Sequence, residues 1–149
     1  MKNEIIQVLS AFIGTFGFSV LFNVRGKRLF FASLGGLIAW LFFVIFKIFI
    51  PSEVTIYFIV ALIASLYAEI MARLLKTPTT TFIITALIPL IPGSSLYYTM
   101  SYAFQSDLEK FMNKGIYTLE LASSLALGVI IASAFIKLIF RKNRLSSKS

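Results

Sequence analysis

The stretch Pro89-Leu-Ile-Pro-Gly-Ser-Ser95 lies near the middle of an apolar run that extends from residue 79 to residue 104. At about 1.5 Å per residue, a helix of that length can cross the ~30 Å hydrocarbon core of a bilayer. Pro89 and Pro92 lack the backbone N–H that a helix uses, and Gly93 tolerates backbone angles that other residues resist. We therefore expect a helix that breaks here, near the middle of the membrane.

A broken helix inside a membrane has a consequence for function. Backbone groups freed by the break cannot face lipid, so they must be buried in protein or line a wet cavity. Discontinuous helices bind substrate in many transporters, and a packed proline kink without a ligand is the alternative. A half-helix that starts near Gly93 would point its unpaired N–H groups and positive dipole end at an anionic group such as a carboxylate. The predicted substrate-binding residues are those that form the break and the polar ones after it: Pro89, Pro92, Gly93, Ser94, Ser95 and Tyr97.

The composition is that of an integral membrane protein. Hydrophobic residues make up 58% of the 149 residues and charged residues 13%, with a mean hydropathy of +0.91, whereas a soluble domain is about 25% charged. Five apolar runs approach or exceed the ~18 residues that a spanning helix needs: 5–22, 29–50, 54–75, 79–104 and 117–140. We predict an all-α bundle of five transmembrane helices, with the fourth broken or kinked, that forms a single domain over residues 1–149.

Small residues recur at four-residue spacing in most of these runs. Such spacing puts them on one helix face, where they let two backbones approach closely in lipid. The pairs and triplets are 10/14 with 17, 32/36, 64/68/72 and 124/128/132. We expect these faces to pack helix against helix, with surface to spare for a partner protein or a second copy of the chain.

Two absences in the sequence exclude whole classes of chemistry. The chain contains no cysteine and no histidine, so Ser-His-Asp and Cys-His catalysis cannot arise within it. The common ligand sets for zinc, haem and iron–sulfur clusters are missing as well. We expect no enzyme activity, no metal site and no cofactor.

The positive charge is distributed unevenly between the two ends of the predicted bundle. Segments 23–28, 73–78 and 141–149 carry three, two and four Lys or Arg residues and no acid, whereas the opposite connections hold four cations and five acids. Cations in short loops mark the cytoplasmic side. We predict a multi-pass plasma membrane protein with its N-terminus outside and its C-terminus in the cytoplasm, and no nucleic-acid partner.

Glu69 is the only acid well inside an apolar run, and Arg73 follows it by one helical turn. Residues four apart share a helix face, so the two can form an ion pair. In one interpretation the pair lies near the inner interface and is structural. In the other, Glu69 lines the transport path and the pair acts in gating or proton coupling, because a carboxylate at depth is costly and normally faces a partner or water.

Several of these motifs together resemble a known family. They are 22–24 (Phe-Asn-Val), 35–40 (Gly-Gly-Leu-Ile-Ala-Trp), 67–73 (Tyr-Ala-Glu-Ile-Met-Ala-Arg), 76–78 (Lys-Thr-Pro), 88–93 (Ile-Pro-Leu-Ile-Pro-Gly), 97–100 (Tyr-Tyr-Thr-Met) and 118–128. The combination covers nearly the whole chain and resembles the short five-span branch of the threonine/serine exporter family. Ser94 and Ser95 stand where further glycines are common in that family.

The resemblance implies a function and a partner. The short branch is similar to the C-terminal half of the long family members and implies one subunit of a two-component exporter, driven by the proton motive force, that works with a larger five-span membrane subunit. The implied substrates are small hydroxy-amino acids such as threonine and serine. Two alternatives stay open: a subunit of a dicarboxylate (succinate) exporter, and a membrane scaffold that stabilises the larger subunit without transporting.

Overall fold

The chain folds into a bundle of helices. The computed structural model describes the backbone of residues 2–146 and the side chains of residues 3–139. Its elements are α1 (Lys2–Leu21), α2 (Lys27–Phe49), α3 (Glu53–Leu74), α4 (Thr79–Leu87), a 3₁₀ turn (Ile88–Leu90), α5 (Gly93–Phe104) and α6 (Leu108–Ser146). Helices α1, α2, α3 and α6 are each long and apolar enough to cross a membrane, and α4 with the 3₁₀ turn and α5 form a fifth span bent by 60°. The predicted five-span, all-α bundle with a broken fourth helix is confirmed.

Helix α2 lies at the centre, packed against α1, α3 and α4, and α3 also packs against α4 and α6. Short connections make successive spans antiparallel, so the bundle has two ends. We call the end with the α1–α2 and α3–α4 connections the basic end, and the opposite one the α5–α6 end. The cationic segment 141–149 lies outside the described side chains.

Two of the predicted small-residue faces, 32/36 of α2 and 124/128/132 of α6, allow close packing of α1 on α2 and of α3 on α6. The 64/68/72 face of α3 instead clusters with buried residues of α2 and α4. A Cβ atom at Gly36 would lie 1.9 Å from Thr15 Oγ1, and one at Gly128 would lie 2.7 Å from the backbone oxygen of Phe58. The Ser10 face of α1 behaves differently, because a Cβ at Gly14 or at Gly17 would meet nothing within 4 Å.

Three of the helix ends use residues other than glycine in the left-handed conformation. Asn23, Lys76 and Ser106 have φ values of 59°, 48° and 57°. At Lys76 the next N–H, from Thr77, returns to the Ala72 oxygen at 2.9 Å, while the Lys76 N–H bonds the Arg73 oxygen at 3.3 Å. This is the Schellman pattern, which satisfies carbonyls at a helix end and reverses the chain within a few residues.

Helix α6 starts nine residues before the predicted start of the fifth span at residue 117, so most of the segment between the fourth and fifth predicted spans is helical. Asp107 explains the early start. Its carboxylate accepts bonds from the Lys110 backbone N–H at 3.1 Å and from Lys110 Nζ at 2.7 Å, as a helix N-cap does. These hydrogen bonds lower the pKa of Asp107 below its ordinary value, and the bond from the Lys110 side chain contributes most. A hydropathy pattern does not register such a polar first turn.

The break itself is a 3₁₀ turn followed by an inverse γ-turn. Pro92 has φ −74° and ψ 57°, and the Gly93 N–H donates to the Ile91 oxygen at 2.7 Å, which is the geometry of an inverse γ-turn. Gly93 then begins α5 without a positive φ. Gly93 therefore adopts no conformation that only glycine allows, and the two prolines with the γ-turn make the break.

The break also lies further from the middle of the bundle than expected. Leu90 is fully buried in a cluster with Ile56 and Val60, near the start of α3. Helix α4 and the 3₁₀ turn together rise about 20 Å from the basic end, while α3 is about 33 Å long. The chain has thus passed the middle of the bundle before the prolines interrupt it.

Replacing Gly93 by Ala tests this account of the break. We expect a stability equal to the parent or higher by about 0.5–1 kcal/mol, since alanine favours the helix and a Cβ here meets nothing within 4 Å. The thermal midpoint of the protein in detergent measures the change. A large loss of stability would show that the backbone at residue 93 needs glycine.

Candidate functional site: a charged cavity beside the broken helix

A cavity of about 630 Å³ opens at the α5–α6 end, where all five spans contribute to its wall. Helix α1 supplies Asn3, Glu4 and Gln7, and α2 supplies one face that runs from Trp40 to Ile48. Cavities that hold small molecules in proteins have volumes of roughly 300–1,000 Å³. An amino acid fits inside with room to spare.

Both signs of charge line the cavity. Lys47 and Lys114 are its cations, and Glu4 and Glu53 are its carboxylates. Lys47 Nζ lies 3.9 Å from Glu53 Oε1, and the Tyr117 hydroxyl donates to Glu53 Oε2. Lys114 Nζ lies 4.8 Å from the centre of the Tyr117 ring. The site therefore offers separate partners for an anionic and a cationic group, as a zwitterion requires.

The start of α5 forms another part of the wall, through Pro92, Ser94 and Ser95. Ser95 is 4% exposed, and its hydroxyl lies 2.8 Å from the Thr118 hydroxyl of α6. Thr99, one turn on, also contacts Thr118 at 3.1 Å. These hydroxyls hold the first turns of α5 against α6, with the N-terminal N–H groups of α5 beside the cavity.

The deeper wall is aromatic. Trp40 stacks on Phe43 with ring centres 5.0 Å apart and planes at 23°, and Phe43 meets the Tyr57 ring edge-on at 5.3 Å. Aromatic pairs in these geometries add about 0.5–1.5 kcal/mol each beyond burial. The three rings make a fixed wall deeper in the cavity than its charged residues, which we call the charged mouth: Glu4, Lys47, Glu53 and Lys114.

The structure brings three of the predicted substrate-binding residues to this cavity: Pro92, Ser94 and Ser95. Pro89 lines a smaller groove of about 340 Å³ on the α1 side, which shares Gln7 and Trp40 with the cavity. Tyr97 is 69% exposed and is not among the residues that line the cavity. Because Ser95 and Thr99 turn one face of α5 toward α6, Tyr97, halfway between them, falls on the opposite face.

Glu69 and Arg73 form the predicted ion pair, with Arg73 Nη2 3.3 Å from Glu69 Oε2. Glu69 is 5% exposed, so the carboxylate is buried. At about 1.5 Å per residue it lies roughly 24 Å further along α3 than Glu53. The pair therefore belongs to the basic end of the bundle and does not line the cavity.

Most of the charged residues of the cavity were not expected from the sequence. From the sequence, Lys47, Glu53 and Lys114 count only among the charges of the connections opposite the basic segments and have no assigned role in a site. A weak signal was present in the spacing. Trp40, Val44 and Lys47 share one face of α2, and Lys114, Tyr117 and Leu121 share one face of α6.

A comparison with protein-family models matches residues 7–135 to the family described as "Threonine/Serine exporter, ThrE". Comparison with curated proteins and with solved structures found no match. The matched range covers most of the chain and contains the broken helix, the aromatic wall and most of the charged mouth. With its apolar helices, this chain is a multi-pass membrane protein that belongs to the threonine/serine exporter family.

Proposed function

We propose that the chain is the membrane subunit of a two-component, proton-coupled exporter of threonine and serine, and that the cavity at the α5–α6 end binds the substrate. The charge distribution supports a plasma membrane orientation with the N-terminus outside. In that orientation the cavity opens to the outside and corresponds to the state that releases substrate.

The observation that carries this proposal is the pairing of cations and carboxylates in one cavity. The substrate carboxylate would lie between Lys47 and Lys114, within reach of the N–H groups that begin α5. The ammonium would face Glu53, whose carboxylate the Tyr117 hydroxyl already orients. This arrangement binds both ends of an amino acid at once.

An export assay tests the proposal. Cells loaded with labelled threonine would express this chain alone, the larger five-span subunit alone, or both, and efflux would be measured in each case. We expect full efflux only from the pair. Equal efflux from the larger subunit alone would support the scaffold role instead, and no efflux from any combination would reject the exporter proposal.

Competition separates the amino acid from the dicarboxylate alternative. The two lysines of the cavity would suit a second carboxylate, but Glu4 and Glu53 would repel it. We therefore expect unlabelled serine to reduce threonine efflux from the pair and succinate to leave it unchanged. Inhibition by succinate but not by serine would favour the dicarboxylate exporter.

We further propose that Glu69 carries the coupling proton, since it is a buried acid that pairs with Arg73. Glu69→Gln should lower export driven by a pH gradient by about tenfold or more, while one-for-one threonine exchange without a gradient stays near the parental rate. Vesicle assays of gradient-driven export and of threonine exchange measure the two rates. Normal export by the variant at every pH tested would exclude the coupling role.

A further inference from the structure

One buried hydrogen-bond donor in the cavity wall has no acceptor within the described part of the chain. It is the indole N–H of Trp40, and Trp40 lines both the cavity and the adjoining α1-side groove. Three hydroxyls share this property, those of Thr15, Ser19 and Ser65, but a hydroxyl in a helix can rotate to bond a carbonyl of its own preceding turn. The indole N–H cannot do so, because its direction is fixed by the ring and the ring is stacked on Phe43.

The position of Trp40 suits one part of the proposed substrate. It lies two helical turns before Lys47 on the same face of α2, so its backbone is about 10 Å deeper than that of the lysine. The charged groups bind the carboxylate and ammonium at the mouth. The side chain of the amino acid then points inward, toward the aromatic wall that contains Trp40.

We propose that Trp40 is the residue that selects a hydroxyl-bearing side chain, by donating its indole N–H to the hydroxyl oxygen of threonine or serine. The inference rests on the proposed function and goes beyond it by assigning the selection to one atom. Valine has the shape of threonine with a methyl group in place of the hydroxyl. It would leave the donor unpaired, which is expected to disfavour valine by about tenfold or more.

A binding experiment on the parent protein tests the proposal without a mutation. Trp40 is the only tryptophan in the chain, so protein labelled with ¹⁵N-tryptophan gives one indole resonance. Titration of the complex of both subunits with threonine should move that resonance saturably, downfield in the proton dimension, and valine at the same concentrations should not. Equal shifts with both amino acids, or a shift with neither while threonine is exported, would overturn the assignment.

A transport experiment gives an independent measure. Trp40→Phe keeps an aromatic ring but removes the donor, and we expect the ratio of threonine to valine export to fall from about tenfold or more to within about twofold. Phe42→Leu is the matched control, because it replaces an aromatic ring of the same helix that does not line the cavity and keeps the donor; its ratio should stay near the parental value. A Trp40→Phe variant that exports threonine with the parental ratio would refute the proposal.

The two proposals fail in different ways. If the parental complex neither exports threonine nor shows an indole shift, the exporter function itself is rejected. If threonine is exported and the indole resonance does not distinguish threonine from valine, only the role of Trp40 is rejected.

Discussion

Threonine export is expected to fall by about tenfold or more when Glu53 is replaced by Gln, because a charge-assisted hydrogen bond contributes about 1.5–3 kcal/mol and its loss weakens substrate binding in proportion. Glu53 is the cavity carboxylate that contacts both a tyrosine and a lysine of the wall. Tyr117 donates to one of its oxygens, and Lys47 lies 3.9 Å from the other. The amide keeps the size of the side chain and removes the charge that would hold the ammonium.

Glu109→Gln is the control for this experiment. Glu109 lies in the exposed first turn of α6 and does not line the cavity, so its loss of charge should leave export unchanged. Efflux of labelled threonine at equal membrane levels of the two variants measures the difference. Equal export by both would mean that the cavity does not bind the substrate ammonium through Glu53.

A large loss of stability is expected from a single methyl group at Gly128. A Cβ there would lie 2.7 Å from the Phe58 backbone oxygen and 2.8 Å from the Ala61 Cβ, so α3 and α6 cannot keep their present separation. Overpacking of this kind typically costs about 1–3 kcal/mol. Gly128→Ala should therefore lower the unfolding midpoint of the protein in detergent, although alanine favours a helix elsewhere.

The same substitution at Gly17 is expected to have the opposite effect on stability. Nothing lies within 4 Å of a Cβ at that position, so the variant should be as stable as the parent or gain up to about 1 kcal/mol from helix propensity. A loss of stability in Gly128→Ala together with no loss, or a gain, in Gly17→Ala would support the tight α3–α6 contact. A Gly128→Ala variant as stable as Gly17→Ala would show that α3 and α6 are further apart than the structure has them.

The Gly128 variant also links packing to function. The Ser124 hydroxyl, one turn before Gly128, donates to the backbone oxygen of Val54, the residue after Glu53. A shift of α6 along this contact would move Tyr117 away from the Glu53 carboxylate. Threonine export should therefore fall together with stability in Gly128→Ala.

Much of the fold could be predicted because membrane helices obey local rules. A run of apolar residues must hide its backbone in a helix, so five runs gave five spans. Two prolines three residues apart stop a helix regardless of what surrounds it, which placed the break correctly between Ile88 and Gly93. The Glu69–Arg73 pair could be predicted as well, since residues four apart on one helix lie on the same face.

The cavity could not be predicted in the same way. Lys47, Glu53, Lys114 and Tyr117 come from three helices, and their separations depend on how far each helix slides along its neighbours. That register is decided by contacts such as Gly128 on Phe58 and Gly36 on Thr15, which no periodicity reveals. Tyr97 illustrates the limit, because its closeness in sequence to the break said nothing about which face of α5 would turn to α6.

The sequence by itself therefore determined that the chain spans a membrane, where its fourth helix stops, and which acid and base pair along α3. Each follows from forces that act within one or two helical turns. Only the tertiary structure decided that the charged ends of α1, α2, α3 and α6 meet around one cavity with the indole of Trp40 in its wall. The reason is that helix register and rotation are set by close packing between backbones, which depends on all the spans together.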